Sequence, residues 1–441
     1  KDPVYLYASC RPVCPNVRQR LQIIDNMNSK TQAITPAGAN PALQPTTLVG
    51  MDAHSRKIEL CITRWQHGAE PTVLKRLTTT LDALEHTYAR QVPADALTVL
   101  EASTNAFSIA RRLEQVGHRV EVLASDTLAG QARADRINDR IDAQNLAAAY
   151  ARGGVRRVHV PSARHQQWRD LLFGYRSAVK DSVRWSNRIW AFCSGHGLKL
   201  PRQSFRRKSA AVRQDVLAHG WTQDETFLVE TLLLEYEHSL ALRARYEQRI
   251  VRIVTESPEM TRLMQQLGVG FIVAFALVAI VEDVHRFANP KKLTSYIGLN
   301  PTVLKSGESE GPRAISHYGR RDLKTLMVQA AQCVLRKGSD DMAKWAHRRI
   351  ASGKNRNVVV CALARKLSVR AWHILMGHPV PDRGAERSFR LKLAELAAAA
   401  GREHLEALGY KKPADYIEAV CARIYPLETQ GELQTDAPAC A

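Results

Sequence analysis

Residues 48–65, LVGMDAHSRKIELCITRW, decide the fold. Leu48–Ala53 is an apolar run that ends at an acid, Asp52. Residues 57–65 alternate apolar and polar after a tight turn at His54-Ser55-Arg56, so the two segments are expected to pair as a hairpin. Residues 71–79, PTVLKRLTT, offer a third strand, and a helix is expected over about 81–91. Residues 96–103, ALTVLEAS, repeat the first pattern, an apolar strand running into an acid, here Glu101. A helix around 106–115 and the strand 118–124 follow. Next comes the helix 139–152, DRIDAQNLAAAYAR, stopped by Gly153-Gly154, and then a short strand over 155–160. Three strands in succession, then helix alternating with strand, predict a mixed α/β sheet over residues 47–161. That order matches the ribonuclease-H-like fold.

Working outward, residues 162–256 read as two long helices, about 163–195 and 209–255, expected to form an antiparallel coiled-coil arm. Residues 161–213 hold twelve Lys or Arg against two acids, which makes the first helix and the connector a candidate phosphate grip. Arg169, Arg176, Lys180, Arg184 and Arg188 are the residues placed to do it. Trp168, Trp185 and Trp190 could stack on bases, although aromatics on a helix face are more often core. Residues 257–378 read as a third, mainly helical domain. Its apolar run 271–281, FIVAFALVAIV, is too short to cross a bilayer and is expected to be a buried helix opened by a Gly268-Val269-Gly270 turn. Between Lys344 and Arg370 there are eight basic residues and no acid, so Arg348, Arg349, Lys354 and Arg356 are further nucleic-acid candidates. Residues 379–441 are expected to be a helical tail with a polar end. Residues 1–46 precede the first strand as a leader or extension, with the first Met at position 27.

The balance of 63 Lys and Arg against 43 Asp and Glu, a formal net charge of +20, favours a polyanionic partner. Each cation that meets a phosphate releases condensed counterions. An anionic membrane surface fits less well, because no basic amphipathic helix adjoins an apolar anchor. No signal peptide is recognisable. The eight cysteines show no zinc spacing and are expected to be free thiols in a reducing cytoplasm.

Four acids carry the chemistry. Asp52 and Glu101 end two strands expected to be neighbours, while Asp139 and Asp142 lie three apart and so share one helix face. Each alone has a structural explanation: a turn for Asp52, a helix cap for Glu101, a dipole-stabilising first turn for Asp139. Together they would repel one another unless cations neutralise them. Mg²⁺ suits such a set, with Mn²⁺ as the alternative. Two ions roughly 4 Å apart would clamp the attacking and leaving oxygens of a phosphoryl transfer.

The segments VGMDAHSRKIELCI, VLEASTNAFSIARRLEQVGHRVEVL and NDRIDAQNLAAAYARGG resemble the three acidic blocks of the DEDD transposases of the 110/1111 group of bacterial insertion sequences, which includes pilin-inverting recombinases. The third block usually opens Lys-Thr-Asp; here it reads Ile137-Asn138-Asp139, with the Asp pair and Ala143 kept. Downstream, LGVGFIVAFALVAIVEDVHRF, KKLTSYIGLNP and SGESEGPRAISHYGRRDLK resemble the group's C-terminal transposase domain, so the likeness covers roughly residues 47–378. It implies a RuvC-like domain holding Mg²⁺ on Asp52, Glu101, Asp139 and Asp142. It also implies a serine that links covalently to DNA, mapping onto Ser306, with Ser309 and Ser316 as close rivals. Donor and target DNA, a structured guide RNA and a dimer or tetramer of the chain are the implied partners. The residues alone also admit a RuvC-like structure-specific nuclease, or a nucleic-acid-binding protein without catalysis.

Overall fold

Six strands form one mixed sheet in the order β3-β2-β1-β4-β5-β6. They are β1 (Thr47–Ala53), β2 (Ile58–Arg64), β3 (Thr72–Thr79), β4 (Leu97–Glu101), β5 (Arg119–Leu123) and β6 (Arg157–Val158). β1, β2 and β3 are joined antiparallel, β4 and β5 run parallel to β1, and β6 returns antiparallel on β5. Helices α1 (Leu84–Gln91), α2 (Ala106–Gln115) and α3 (Asp139–Arg152) complete this unit. The computed structural model describes residues 47–66, 69–125, 139–200, 209–302, 305–306, 309–310, 314–316, 318–338, 340–378 and 386–425. The expectations for residues 1–46 and for the polar end therefore fall outside the described residues. The chain divides into two compact units after Val160.

In the first unit the period-two alternation of β1 and β2 sorts side chains onto two faces. Val49, Met51, Ile58, Leu60 and Ile62 pack with Leu84 and Tyr88 of α1 and Ile109 and Leu113 of α2. Leu48, Leu97, Val99 and Leu123 pack with Leu146 and Ala147 of α3 on the other face. Each buried aliphatic side chain contributes about 1.5–3 kcal/mol. The sheet and its helices follow the expected order segment by segment.

The second unit is almost wholly helical. Its long members are α4 (Ala163–Gly195) and, after the short α5 (Ser209–Leu217), α6 (Gln223–Glu256). The single helix expected over 209–255 is thus two. Gly220 interrupts it, and a capping box restarts it: Thr222 Oγ1 accepts from the Glu225 amide, and the Glu225 carboxylate accepts from the Thr222 amide at 2.8 Å. α4 and α6 run antiparallel, with buried residues at intervals of three and four, such as Val229, Leu233 and Tyr236 on α6. The large buried side chains of the seam lie toward its two ends. Ser182 and Ser239 are buried in between, and Arg243 pairs with Glu247 at 2.9 Å.

The base of this helix pair is not a separate domain. Leu172, Ile250 and Val254 belong to one core with α7 (Pro258–Leu263), α8 (Phe271–Val281), α9 (Pro290–Ile297), α10 (Arg321–Lys337), α11 (Asp341–Ala351) and α12 (Arg356–Leu375). The tail joins the same core: Phe389 and Leu393 of α13 (Glu386–Ala400), Leu405 of α14 (Arg402–Ala407), and Tyr416 and Val420 of α15 (Pro413–Ile424). α8 is apolar on every side and is buried from Ala274 to Val281, as a central core helix must be. The turn before it needs glycine at 268, where φ is +79° and a Cβ would strike the Ala330 carbonyl. Among the described residues, no helix is long and apolar enough to cross a membrane.

Lys392 of α13 locks that turn. Its Nζ donates to the carbonyls of Met264, Gln266 and Val269 at 2.7, 2.6 and 3.1 Å. Burial lowers its pKa to about 8. Lys392→Met should strand three carbonyls and destabilise the second unit by about 3 kcal/mol, read as a lower unfolding midpoint and faster amide exchange at residues 264–270. The folded pKa lies below that of the unfolded lysine, so the unfolded chain binds the extra proton between about pH 8 and the ordinary lysine value. The native protein should therefore gain stability relative to Lys392→Met as pH rises through that window. An unchanged midpoint and a flat difference would contradict this role.

Candidate catalytic site

The acids of the first unit are brought together by strand register and by one close helix contact. β1 and β4 pair in parallel with Met51 beside Leu100, so Asp52 and Glu101 are next in line on the same face at the same ends of their strands. That is the face α3 covers. α3 sits there because Gly50 has no side chain: a Cβ built on it would collide with the Ala143 carbonyl oxygen. Asp142 precedes this contact by one residue, so the contact that seats α3 also carries Asp142 to the strand ends. The Arg76 guanidinium of β3 holds α3 from the side, donating to Gln144 at 2.5 Å.

The electrostatics record the convergence. Burial pushes the Glu101 carboxyl above the usual carboxylate range, and the negative charges of Asp52 and Asp142 push it further. Asp52 is 20 % exposed, and its Oδ2 lies 3.2 Å from His54 Nε2. Asp139 is the first residue of α3, three before Asp142, and its side chain lies outside the described residues. Among the described residues, no three His, Cys, Asp or Glu side chains converge closely enough to hold an ion by themselves.

Register also places a carboxylate that the sequence reading passed over. Glu59 pairs with Asp52 across β1 and β2 and shares its face. It is 2 % exposed, takes Lys57 Nζ at 2.6 Å and accepts from Thr78 Oγ1 at 3.0 and 3.1 Å. These contacts fix a third carboxylate opposite Asp52, on the face that α3 covers. Its position opposite an acid in a predicted hairpin was the available signal.

In the second unit the candidate serines separate by their surroundings. Pro301–Thr302 pairs antiparallel with Ala314–Ile315, and inside that ladder Lys305–Ser306 pairs with Ser309–Glu310, Ser306 opposite Ser309. The side chains of these two serines lie outside the described residues. Ser316 is fixed as a turn residue. Its amide donates to the Asn300 carbonyl at 3.0 Å, its Oγ accepts from the Tyr318 amide at 3.1 Å and its carbonyl takes Lys324 Nζ at 2.7 Å.

Residues 260–346 match the family described as Transposase IS116/IS110/IS902. The transposase for insertion sequence element IS1328 of Yersinia enterocolitica is 25% identical over 281 residues, 63% of this chain and 82% of that protein. A probable family 20 transposase of Pseudomonas aeruginosa is 27% identical over 295 residues, 65% of this chain and 86% of that protein. The transposase for IS1111A of Coxiella burnetii is 27% identical over 241 residues, 54% of this chain and 66% of that protein. These likenesses support a DNA transposase of the IS110/IS1111 group.

The candidate cations of the second unit sort into two kinds. Lys180, Arg184 and Arg188 stand exposed at four-residue spacing along α4, with Arg184 3.0 Å from Asp181 and Arg188 lying over the Trp185 ring. Arg348, Arg349, Lys354 and Arg356 are exposed as well, and Arg176 is half-buried. Arg169 is different and does not fit the phosphate-grip reading. Its side chain is 9 % exposed and donates to the Ala279 and Ile280 carbonyls at 3.0 and 2.9 Å, capping the C-terminus of α8. Trp168 packs on the core beside Phe275, and the half-buried Trp185 packs on the cluster at the tip of the arm. Trp190 is more open, with its indole donating to the Leu200 carbonyl.

Asp142→Asn should lower the Glu101 titration midpoint without restoring the ordinary value, because burial is the largest cause of the shift. Carbon-13 NMR of the glutamate carboxyls reads this directly. Gly50→Ala should lower it too by lifting α3, at a stability cost of about 1–3 kcal/mol. A Glu101 midpoint indifferent to both changes would mean that the acids do not converge.

Proposed function

We propose that this insertion-sequence transposase performs RNA-guided DNA strand cleavage and exchange, with Asp52, Glu101, Asp139 and Asp142 as Mg²⁺ ligands and Ser306 as nucleophile. The observation that carries the reading is the register that aligns Asp52 and Glu101 at the ends of β1 and β4, with Asp142 brought there by the contact of Gly50 with Ala143; the raised Glu101 carboxyl agrees with it. Carboxylates that oppose each other's ionisation across strand ends are relieved by a divalent cation, so an all-carboxylate donor set suits Mg²⁺ or Mn²⁺. The strand order β3-β2-β1-β4-β5, with the first three strands antiparallel, supports a ribonuclease-H-like, RuvC-like assignment for the first unit.

When bound, the metal would supply Lewis-acid stabilisation of charge on the phosphate. The remaining work belongs to side chains. Asp52 and Glu101 orient from the sheet, and Asp139 and Asp142 from α3. Ser306 Oγ displaces a sugar oxygen from a backbone phosphorus, leaving a phosphodiester to serine and a free DNA hydroxyl. Attack by the hydroxyl of the exchanging strand reverses the step and returns the serine. The link conserves the phosphodiester, which suits exchange better than hydrolysis. The backbone pairing of Lys305–Ser306 with Ser309–Glu310 supports Ser306 as a presented residue, and the turn bonding of Ser316 weighs against it as nucleophile.

Guide RNA, donor DNA and target DNA are the proposed partners, met in the bacterial cytoplasm at the nucleoid. The net charge of +20 and the exposed cations of α4 support phosphate contact. The antiparallel pair of α4 and α6, read as a coiled-coil arm, is the proposed joint of a dimer or tetramer.

Wild-type protein, incubated with its element ends, its RNA and Mg²⁺, should give a protein–DNA adduct that survives denaturing electrophoresis. Ser306→Ala should give none, and neither should Asp142→Asn. Nicked DNA without an adduct from the wild type would identify a RuvC-like nuclease instead. An adduct persisting in Ser306→Ala would move the nucleophile to Ser309.

A further inference from the structure

The groove between α11 and α12 is built differently from the exposed cationic stripes. It has a volume of about 570 Å³. It is lined by the apolar Met342, Ala362 and Val369, by the half-buried Trp345, and by the cations Arg365, Lys366 and Arg370, of which Lys366 is exposed and the two arginines are half-buried. None of its lining residues is acidic. The Lys366 ammonium lies 4.7 Å from the centre of the Trp345 ring.

We propose that this groove is a single-strand site in which one unpaired nucleobase stacks on Trp345 while the adjoining phosphates meet Arg365, Lys366 and Arg370. The assignment rests on the nucleic-acid reading of the chain and adds a specific site to it. An aromatic platform flanked by cations is the arrangement that binds single strands without reading sequence, because every base has a π-face. The lysine over the ring is a replaceable occupant. A cation on an exposed aromatic face gains less than a base stacked on it, and the displaced ammonium remains within reach of the incoming phosphate. Volume agrees as well, since small-molecule sites of this order accept a ligand of nucleotide size. Duplex DNA is a poor occupant, because its bases are already stacked and only its phosphates could reach the cations. The cations also admit an acidic peptide, which would use the charges but gain nothing special from the indole.

The test uses the full chain and a short fluorescent single-stranded oligothymidine, with a duplex of equal length and oligoglutamate as competitors. Trp345→Leu should weaken single-strand binding about tenfold and leave the salt slope unchanged, since a stack releases no counterions. Duplex binding should stay within about twofold of wild type. Trp345→Phe, which keeps an aromatic face, should recover most of the affinity, and this separates stacking from misfolding. Lys366→Gln should lower the salt slope by about one. Trp345→Leu with unchanged single-strand affinity, or with equal loss for single strand and duplex, overturns the proposal. So does oligoglutamate that competes as well as oligothymidine. Adduct formation is read separately: a wild type that stacks single strands here but never forms an adduct removes the strand-exchange reading and leaves this site standing.

Discussion

The approach of α3 to Gly50 is the constraint on which the candidate site depends. A helix backbone touches a strand backbone where any side chain would intrude on the Ala143 carbonyl. One consequence is packing: Leu146 and Ala147 reach Leu48, Leu97 and Val99 and close one face of the sheet. The other is electrostatic. Asp142 arrives beside two strand-end acids that the parallel register of β1 and β4 has already aligned. Burial first, and then the charges of Asp52 and Asp142, raise the Glu101 carboxyl. Folding energy from the apolar face thus supports an unfavourable concentration of charge at its edge, as functional sites commonly require.

The second unit meets a different demand, seating a long helical arm and a tail on one core. Its core is continuous from Leu172 of α4 to Val420 of α15, so the arm and the tail are anchored in one packed body. Lys392 shows how far the tail is integrated, since its ammonium satisfies three carbonyls of the turn that opens α8. Arg169 does the same at the other end of α8. Both cations serve the ends of the most apolar helix, where backbone groups would otherwise be buried without partners.

Much of this was legible in the sequence, for identifiable reasons. The first unit was readable because period-two alternation, strand-end acids and the Gly153-Gly154 stop are local signals. The buried nature of residues 271–281 followed from composition alone. What failed was non-local or was a short signal inside a long pattern. The Thr222 to Glu225 capping box was outweighed by the helical periodicity on both sides of it. Arg169 looked like its neighbours Arg176 and Lys180, and only the tertiary position of α8 distinguishes it. Glu59 was read as a polar residue in an alternating strand, and its burial beside Lys57 and Thr78 depends on pairing. The tail's place in the core could not be inferred from an Ala-rich helix without knowing what it faces.

The central proposal is that the α3 contact draws Asp52, Glu101 and Asp142 to one end of the sheet, where together with Asp139 they would hold a cation. Binding of Mn²⁺, followed by electron paramagnetic resonance on wild type, Asp142→Asn and Gly50→Ala, tests it most directly. The account predicts binding by the wild type, loss in Asp142→Asn and marked weakening in Gly50→Ala, although Gly50→Ala removes no carboxylate. Equal binding by all three proteins would contradict it.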